Sequence, residues 1–210
     1  MWIILVMAIV FLLTDSLTGS PANADWGYDC FVSTAATQQV SVFTVPDGSG
    51  DPLTEAFAWG GSRMDATVTV ELWSWSGYPL EGFPPEDLWL DTTRGSLTLC
   101  QPNGSMADGP TDANGVTTFS GSLRAGGATD PALEFTRVVV NGDPCSLYPV
   151  DIQFNSPDLN GNGVVNLTDV ILFTGHFFGA YNYAADYFWD GQINLSDLAK
   201  MAPAFGALCP

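Results

Sequence analysis

Between Asp65 and Trp75 polar and apolar residues alternate: Val68, Val70 and Leu72 fall on one face, and Thr67, Thr69, Glu71, Trp73 and Trp75 on the other. A period of two sends successive side chains to opposite sides of a strand, so the aliphatic face is the expected core side. Shorter runs of the same kind occupy Gln39 to Val45, Asp87 to Leu90, Ser96 to Leu99, Gly115 to Leu123 and Phe135 to Val140, separated by Gly, Pro, Asn and Asp clusters. This spacing predicts a two-sheet antiparallel β-sandwich from about Asp25 to Asp151. The period then lengthens. Leu167, Val170, Ile171, Thr174, Phe177 and Phe178 recur at helical spacing, as do Leu195, Leu198, Met201, Ala202 and Phe205, and both sets are expected to face inward. Gly175 weakens the first helix and Pro203 ends or kinks the second.

Trp2 to Leu13 is an uninterrupted apolar run. It is short of the ~20 residues of a membrane span and suits a signal-peptide core. A polar stretch and Ala22-Asn23-Ala24 follow, so cleavage is expected after Ala24, although no basic residue precedes the run and an uncleaved anchor is the competing reading. The expected product is secreted or held at a bacterial cell surface, with no membrane span after cleavage. Export permits disulfides among Cys30, Cys100, Cys145 and Cys209. Of three connectivities, Cys30 with Cys100 and Cys145 with Cys209 is favoured, because the second pair would tie the tail to the end of the preceding domain.

Charge narrows the function classes. With 23 acidic and 5 basic side chains the formal charge is -18, which leaves no basic face for a nucleic acid. Lys200 is the single lysine and His176 the single histidine, so the familiar catalytic constellations have no material, and no enzyme is expected. His176 reads as a helix-surface or helix-end residue. Glu81, Glu86 and Asp87 read as chance neighbours rather than a glycosidase pair. Trp73 and Trp75 share a face and could stack on sugar rings, but packing against a loop or the C-terminal module is favoured, as it is for Trp26, Trp59 and Trp89.

The tail contains a repeat: Asp158-Leu159-Asn160-Gly161-Asn162-Gly163-Val164-Val165-Asn166-Leu167-Thr168-Asp169 aligns with Asp186-Tyr187-Phe188-Trp189-Asp190-Gly191-Gln192-Ile193-Asn194-Leu195-Ser196-Asp197. A hard cation such as calcium takes roughly six to eight oxygens, and a calcium loop offers them from its first, third, fifth, seventh, ninth and twelfth positions around a glycine at the sixth. In the first copy these are Asp158, Asn160, Asn162, the carbonyl of Val164, Asn166 and Asp169, with Gly163 at the turn. In the second they are Asp186, Asp190, the carbonyl of Gln192, Asn194 and Asp197, with Gly191 at the turn; Phe188 leaves the third position without an oxygen. Two Ca²⁺ sites are therefore expected, the second with an extra water. Magnesium fits less well because it demands tight octahedral geometry.

Two families are resembled. Thr67-Val68-Thr69-Val70, Gly77-Tyr78-Pro79-Leu80-Glu81-Gly82 and Thr111-Asp112-Ala113-Asn114-Gly115 resemble bacterial Ig-like repeats of the invasin and intimin type, which implies a structural or adhesive module. The duplicated loop, with Asp at its twelfth position and V-N-L-[ST]-D at its end in the first copy, resembles the dockerin domain of cellulosome enzymes. That likeness implies one helix per loop, two-fold pseudosymmetry, and a partner surface at Leu167, Thr168, Leu195 and Ser196. Basic residues often found farther along that surface in dockerins are missing here, which tells against a classical cellulosomal cohesin; a cohesin-like domain or another surface protein is the implied partner, or docking within the same chain.

The expected architecture is thus mainly β: a signal peptide (1–24), an Ig-like antiparallel sandwich (25–151) and a small α-helical, dockerin-like calcium-binding domain (152–210). The expected function is non-catalytic binding or assembly outside the cell through protein–protein docking. A carbohydrate-binding or adhesin module of the extracellular matrix is the alternative, with a polysaccharide as partner.

Overall fold

The computed structural model describes residues 27–101, 104–145 and 149–210; the expected signal segment, its cleavage site and Trp26 lie outside them. Among the described residues twelve strands precede two α-helices: β1 (Tyr28–Thr34), β2 (Val40–Phe43), β3 (Ala56–Ala58), β4 (Ser62–Met64), β5 (Val68–Ser74), β6 (Leu88–Thr92), β7 (Leu97–Leu99), β8 (Val116–Phe119), β9 (Ala125–Gly127), β10 (Thr136–Val140), β11 (Asp143–Pro144), β12 (Ile152–Asn155), α1 (Leu167–Phe177) and α2 (Leu195–Met201). The described chain is mainly β, and no helix in it is long and apolar enough to cross a membrane.

The alternation in β5 does what its period dictates. Val68, Val70 and Leu72 are fully buried, and the strand lies between β1 and β8 in antiparallel register, with Val70 opposite Val32 and Thr117. A second sheet runs β11-β10-β6, and β7 pairs with β9. The fourth, β12-β2-β3-β4, contains one parallel pair: Ile152–Asn155 lies alongside Val40–Phe43. Val68, Val70 and Leu72 share one core with Val40, Val42, Leu88, Leu90, Val138, Val140, Ile152 and Phe154, so β12 joins the tail of the chain to the same apolar interior as the earlier strands.

The cysteine pairing differs from the expected one. Cys30 is bonded to Cys145 and Cys100 to Cys209. Cys30 lies in β1 and Cys145 just beyond β11, so the first bond links two sheets. The second fastens the C-terminal tail to the end of β7.

The helices also turn a different face inward. Phe173 and Met201 are buried, packed with Val165, Ala185, Tyr187 and Ala204 against Phe43 and Val45 of the β-rich region. Val170 and Phe177 are partly buried, as expected, but Leu167, Ile171, Leu195, Leu198, Phe178 and Phe205, expected inside, are exposed. Each short helix carries apolar residues on more than one face, and the position of β2 decides which face is covered. Lys200 locks the contact: its Nζ donates to Asp51 Oδ1 and Oδ2 at 2.7 and 2.8 Å, beside the rings of Phe43, Phe57 and Phe188.

Candidate metal centre

Each loop is a set of Asx turns that ends by capping a helix. In the first, Asp158 accepts from the backbone N–H of Asn162 through Oδ1 (3.1 Å) and of Gly163 through Oδ2 (2.7 Å), while Asn160 Oδ1 also accepts from Asn162 N–H. Gly163 has a φ of +83°, a conformation that costs other residues a steric penalty. Asn166 Oδ1 accepts from Thr168 N–H, and Asp169 Oδ2 accepts from Asn166 N–H, a reciprocal capping box that starts α1. Asp169 Oδ1 accepts from Asn160 N–H and so draws the ends of the loop together.

The second copy repeats the scheme. Asp186 accepts from Asp190 and Gly191, Asp197 from Tyr187 and Asn194, and Asn194 caps α2 with Asp197. Gly191 again has a positive φ, +85°. Trp189 takes a φ of +50° where the first copy has Gly161, and it is held there by burial against Tyr183 and the edge of Trp59. Phe188, without an oxygen to offer, packs its ring on Phe57.

The electrostatics of the two loops are unusual for so acidic a chain. Asp158, Asp169, Asp186 and Asp197 have no solvent exposure, and no ion pair among the described residues includes any of them. Burial raises the pKa of Asp158, against the N–H groups of Gly163 and Asn162, and the charge of Asp169 raises it further. Burial likewise raises Asp186 and Asp197, and the charge of Asp190 adds to both. Ionised carboxylates without a counter-charge are costly in such surroundings, and a bound cation removes that cost.

The donor set suits a hard ion. Asp, Asn and backbone oxygens dominate it, as calcium requires, and thiolate or imidazole ligands are absent from either loop. Among the described residues no group of three or more His, Cys, Asp or Glu side chains is gathered closely enough to hold a metal by itself. The first loop brings only two carboxylates and would have to draw on Asn160, Asn162, Asn166 and the Val164 carbonyl, the last of which accepts from Asn166 Nδ2 at 3.3 Å. In the second, the charges of Asp186 and Asp190 raise the pKa of Asp197 beyond what burial does, without the three forming such a group.

The loops are built into the β-rich region. The carbonyl of Asp158 accepts from Gly127 N–H of β9 at 2.7 Å, and Gly161 lies against Gly127. The C-terminal tail pairs with the first loop: Cys209 N–H donates to the Gly163 carbonyl, and Val165 N–H to that of Ala207. On the second loop, Asn155 of β12 donates to the Asp186 carbonyl at 2.7 Å, and Trp59 covers Gly191. No local pattern in the chain announces these contacts, because they join residues far apart in sequence.

No protein-family model, curated protein or solved structure matches this chain.

The four residues expected to meet a partner, Leu167, Thr168, Leu195 and Ser196, are all exposed, with Leu167 64% and Leu195 70% accessible. Trp75 is exposed rather than packed, Trp73 and Trp89 are half-buried, and Trp59 packs through one edge only. His176 sits half-buried near the end of α1, with its Nε2 3.5 Å from Asn182 Nδ2. A cleft lined by Leu53, Ser105, Met106, Asp108, Phe119 and Leu123 contains one carboxylate, whereas a glycosidase needs two.

Proposed function

We propose that this is an exported, non-catalytic binding or assembly protein in which an Ig-like sandwich carries a dockerin-like pair of calcium loops. The observation that carries the reading is a contrast between equivalent positions of the two repeats. The first and twelfth residues of both loops are buried carboxylates without cationic partners, while the tenth residue of both is an exposed leucine. The first half of that contrast favours an ion, and the second favours a partner. Asp158, Asn160, Asn162, Val164, Asn166 and Asp169 would hold one Ca²⁺, and Asp186, Asp190, Gln192, Asn194 and Asp197 another. The ions supply no chemistry beyond charge and cross-linking: they neutralise the aspartates and fix both helix N-termini. Leu167 and Ile171 on α1, and Leu195 and Leu198 on α2, then offer exposed apolar contacts, with Thr168 and Ser196 beside them. The two disulfides suit life outside the cell.

Far-ultraviolet circular dichroism and thermal melting of the EDTA-stripped protein test the ion. Calcium should raise helicity and the melting temperature, and Asp158→Ala with Asp186→Ala should abolish both responses. No response in the wild type overturns the reading.

One observation favours a second reading, a polysaccharide ligand. The outer face of the β1-β5-β8 sheet presents Phe31 (59% exposed) and Trp73, with Trp75 (61%) and Tyr78 (71%) beyond the end of β5. Apolar sugar faces stack on such rings, and Asp29 and Glu71 beside them can accept sugar hydroxyls. Retardation by soluble neutral polysaccharides in affinity electrophoresis, lost in Trp75→Ala, would support it; free migration would remove it.

A further inference from the structure

The second loop lacks the oxygen that Asn160 brings to the first, and its third residue cannot be coaxed into the role. The Phe188 ring is turned onto Phe57, with centroids 5.2 Å apart, and Lys200 Nζ lies 5.4 Å from it. Another oxygen is already present. Tyr181 precedes the loop, outside the repeated motif, yet its hydroxyl donates to Asp186 Oδ2 at 2.9 Å. A phenol hydroxyl is both a donor and an acceptor, so its oxygen can serve a cation as well as a carboxylate.

We propose that the Tyr181 hydroxyl oxygen is the ligand that replaces the missing third-position side chain of the second calcium loop. Two oxygens bound to one calcium at about 2.4 Å each stand roughly 3 Å apart when adjacent, so the Tyr181–Asp186 separation serves a hydrogen bond without metal and shared coordination with it. On an ion the hydroxyl proton would turn away from Asp186, whose Oδ2 keeps its hydrogen bond from the Gly191 N–H, and an oxygen lone pair would take the proton's place. The two loops then differ by design: the first is assembled from one continuous segment, whereas the second borrows an oxygen from the chain before it. This assignment rests on the calcium reading above.

Terbium, a luminescent calcium substitute, separates the two ideas. Trp189 lies within the second loop and the Trp59 indole against its Gly191, so emission sensitised by these indoles reports that loop. Tyr181→Phe removes one oxygen from a half-exposed ring, and unchanged circular dichroism in EDTA will show that the fold is kept. The terbium concentration at half-saturation should rise about tenfold in Tyr181→Phe, as expected for loss of a ligand-sphere group, while calorimetry still finds calcium bound at the first loop. Unchanged or tighter terbium binding would make Tyr181 a bystander or a plug and overturn this proposal, with calcium binding intact. Absence of both terbium emission and calcium heat in the wild type would overturn the calcium reading itself, and this assignment with it.

Discussion

The Asp158 carboxylate rests against the backbone of Gly126: a β-carbon placed on Gly126 would stand 1.9 Å from Asp158 Oδ2. The first loop and β9 therefore approach as closely as a missing side chain allows. Gly126→Ala must push the carboxylate aside or part the strand from the loop. Overpacking of this kind costs about 1–3 kcal/mol, measurable by urea denaturation. The calcium affinity of the first loop should fall with it, and terbium emission from the second should not. Wild-type stability in Gly126→Ala would show that the contact yields freely.

The Cys100–Cys209 bond holds the tail that pairs with Gly163 and Val165. Cys209 Sγ would lie 3.0 Å from a β-carbon on Gly163, so the bond abuts the turn of the first loop. Replacing both cysteines by serine opens a ring of 109 residues, for which chain entropy gives a loss of about 5 kcal/mol. Calorimetry should also show weaker calcium binding at the first loop. Removing Cys30–Cys145 instead should lower stability and leave calcium binding as it was.

Lys200 and Asp51 are 17% and 14% exposed, far less than an ordinary surface pair. Lys200→Met keeps the apolar stem among Phe43, Phe57 and Phe188 but leaves Asp51 with Arg63 alone, at 3.2 Å. Breaking a buried pair from one side costs about 3 kcal/mol, because the remaining charge stays desolvated. Adding Asp51→Asn should restore part of that loss. A fall below about 0.5 kcal/mol in the single variant would place the pair among solvent-screened contacts.

What the chain reveals by inspection is what is local. The alternation of Val68, Val70 and Leu72 predicted a buried strand face, and the loops and their helix starts could be placed because capping and Asx turns span only a few residues. The short strands Ala56–Ala58 and Ala125–Gly127 were invisible, since three small or apolar residues show no period. Cysteine pairing depends on which sheets meet, which no spacing encodes. The helix faces were misassigned because Leu167 and Ile171 are as apolar as Phe173, and only the position of Phe43 distinguishes them. Tyr181 lies outside the loop motif, so no ligand count within the motif includes it.

Acid should narrow the effect of calcium. Burial raises the pKa of Asp158, Asp186 and Asp197 in the metal-free fold. A carboxylate raised on folding contributes its stability fully below its unfolded pKa of about 4 and loses it as pH rises through the folded value. Asp65, bonded by the Thr67 hydroxyl and N–H, and Asp112, bonded by the Val116 and Asn114 N–H groups, shift the other way. So does Glu134, where burial is outweighed by hydrogen bonds from Thr92, Ser96 and Asp130. Their stability is present above the unfolded pKa and is lost as pH falls through the folded one. On the proposed reading calcium would engage only the loop carboxylates, and only when they are ionised. The gap in melting temperature between calcium and EDTA should therefore widen from about pH 4 to neutrality, and a constant gap would contradict an ion held by these groups.

Leu167 and Leu195 separate docking from folding. Both side chains are largely exposed, and neither belongs to the cluster around Phe173 and Met201. Leu167→Asp with Leu195→Asp should thus change stability by no more than about 0.5 kcal/mol each, the range for surface substitutions. A charge at the centre of an apolar contact is far more damaging, since the partner must desolvate it without compensation. Capture of a surface protein in calcium should fall at least tenfold in the double variant, and single variants should retain binding if either repeat can face the partner. Capture that persists in the double variant, or that ignores EDTA, would move the docking surface away from the two helices.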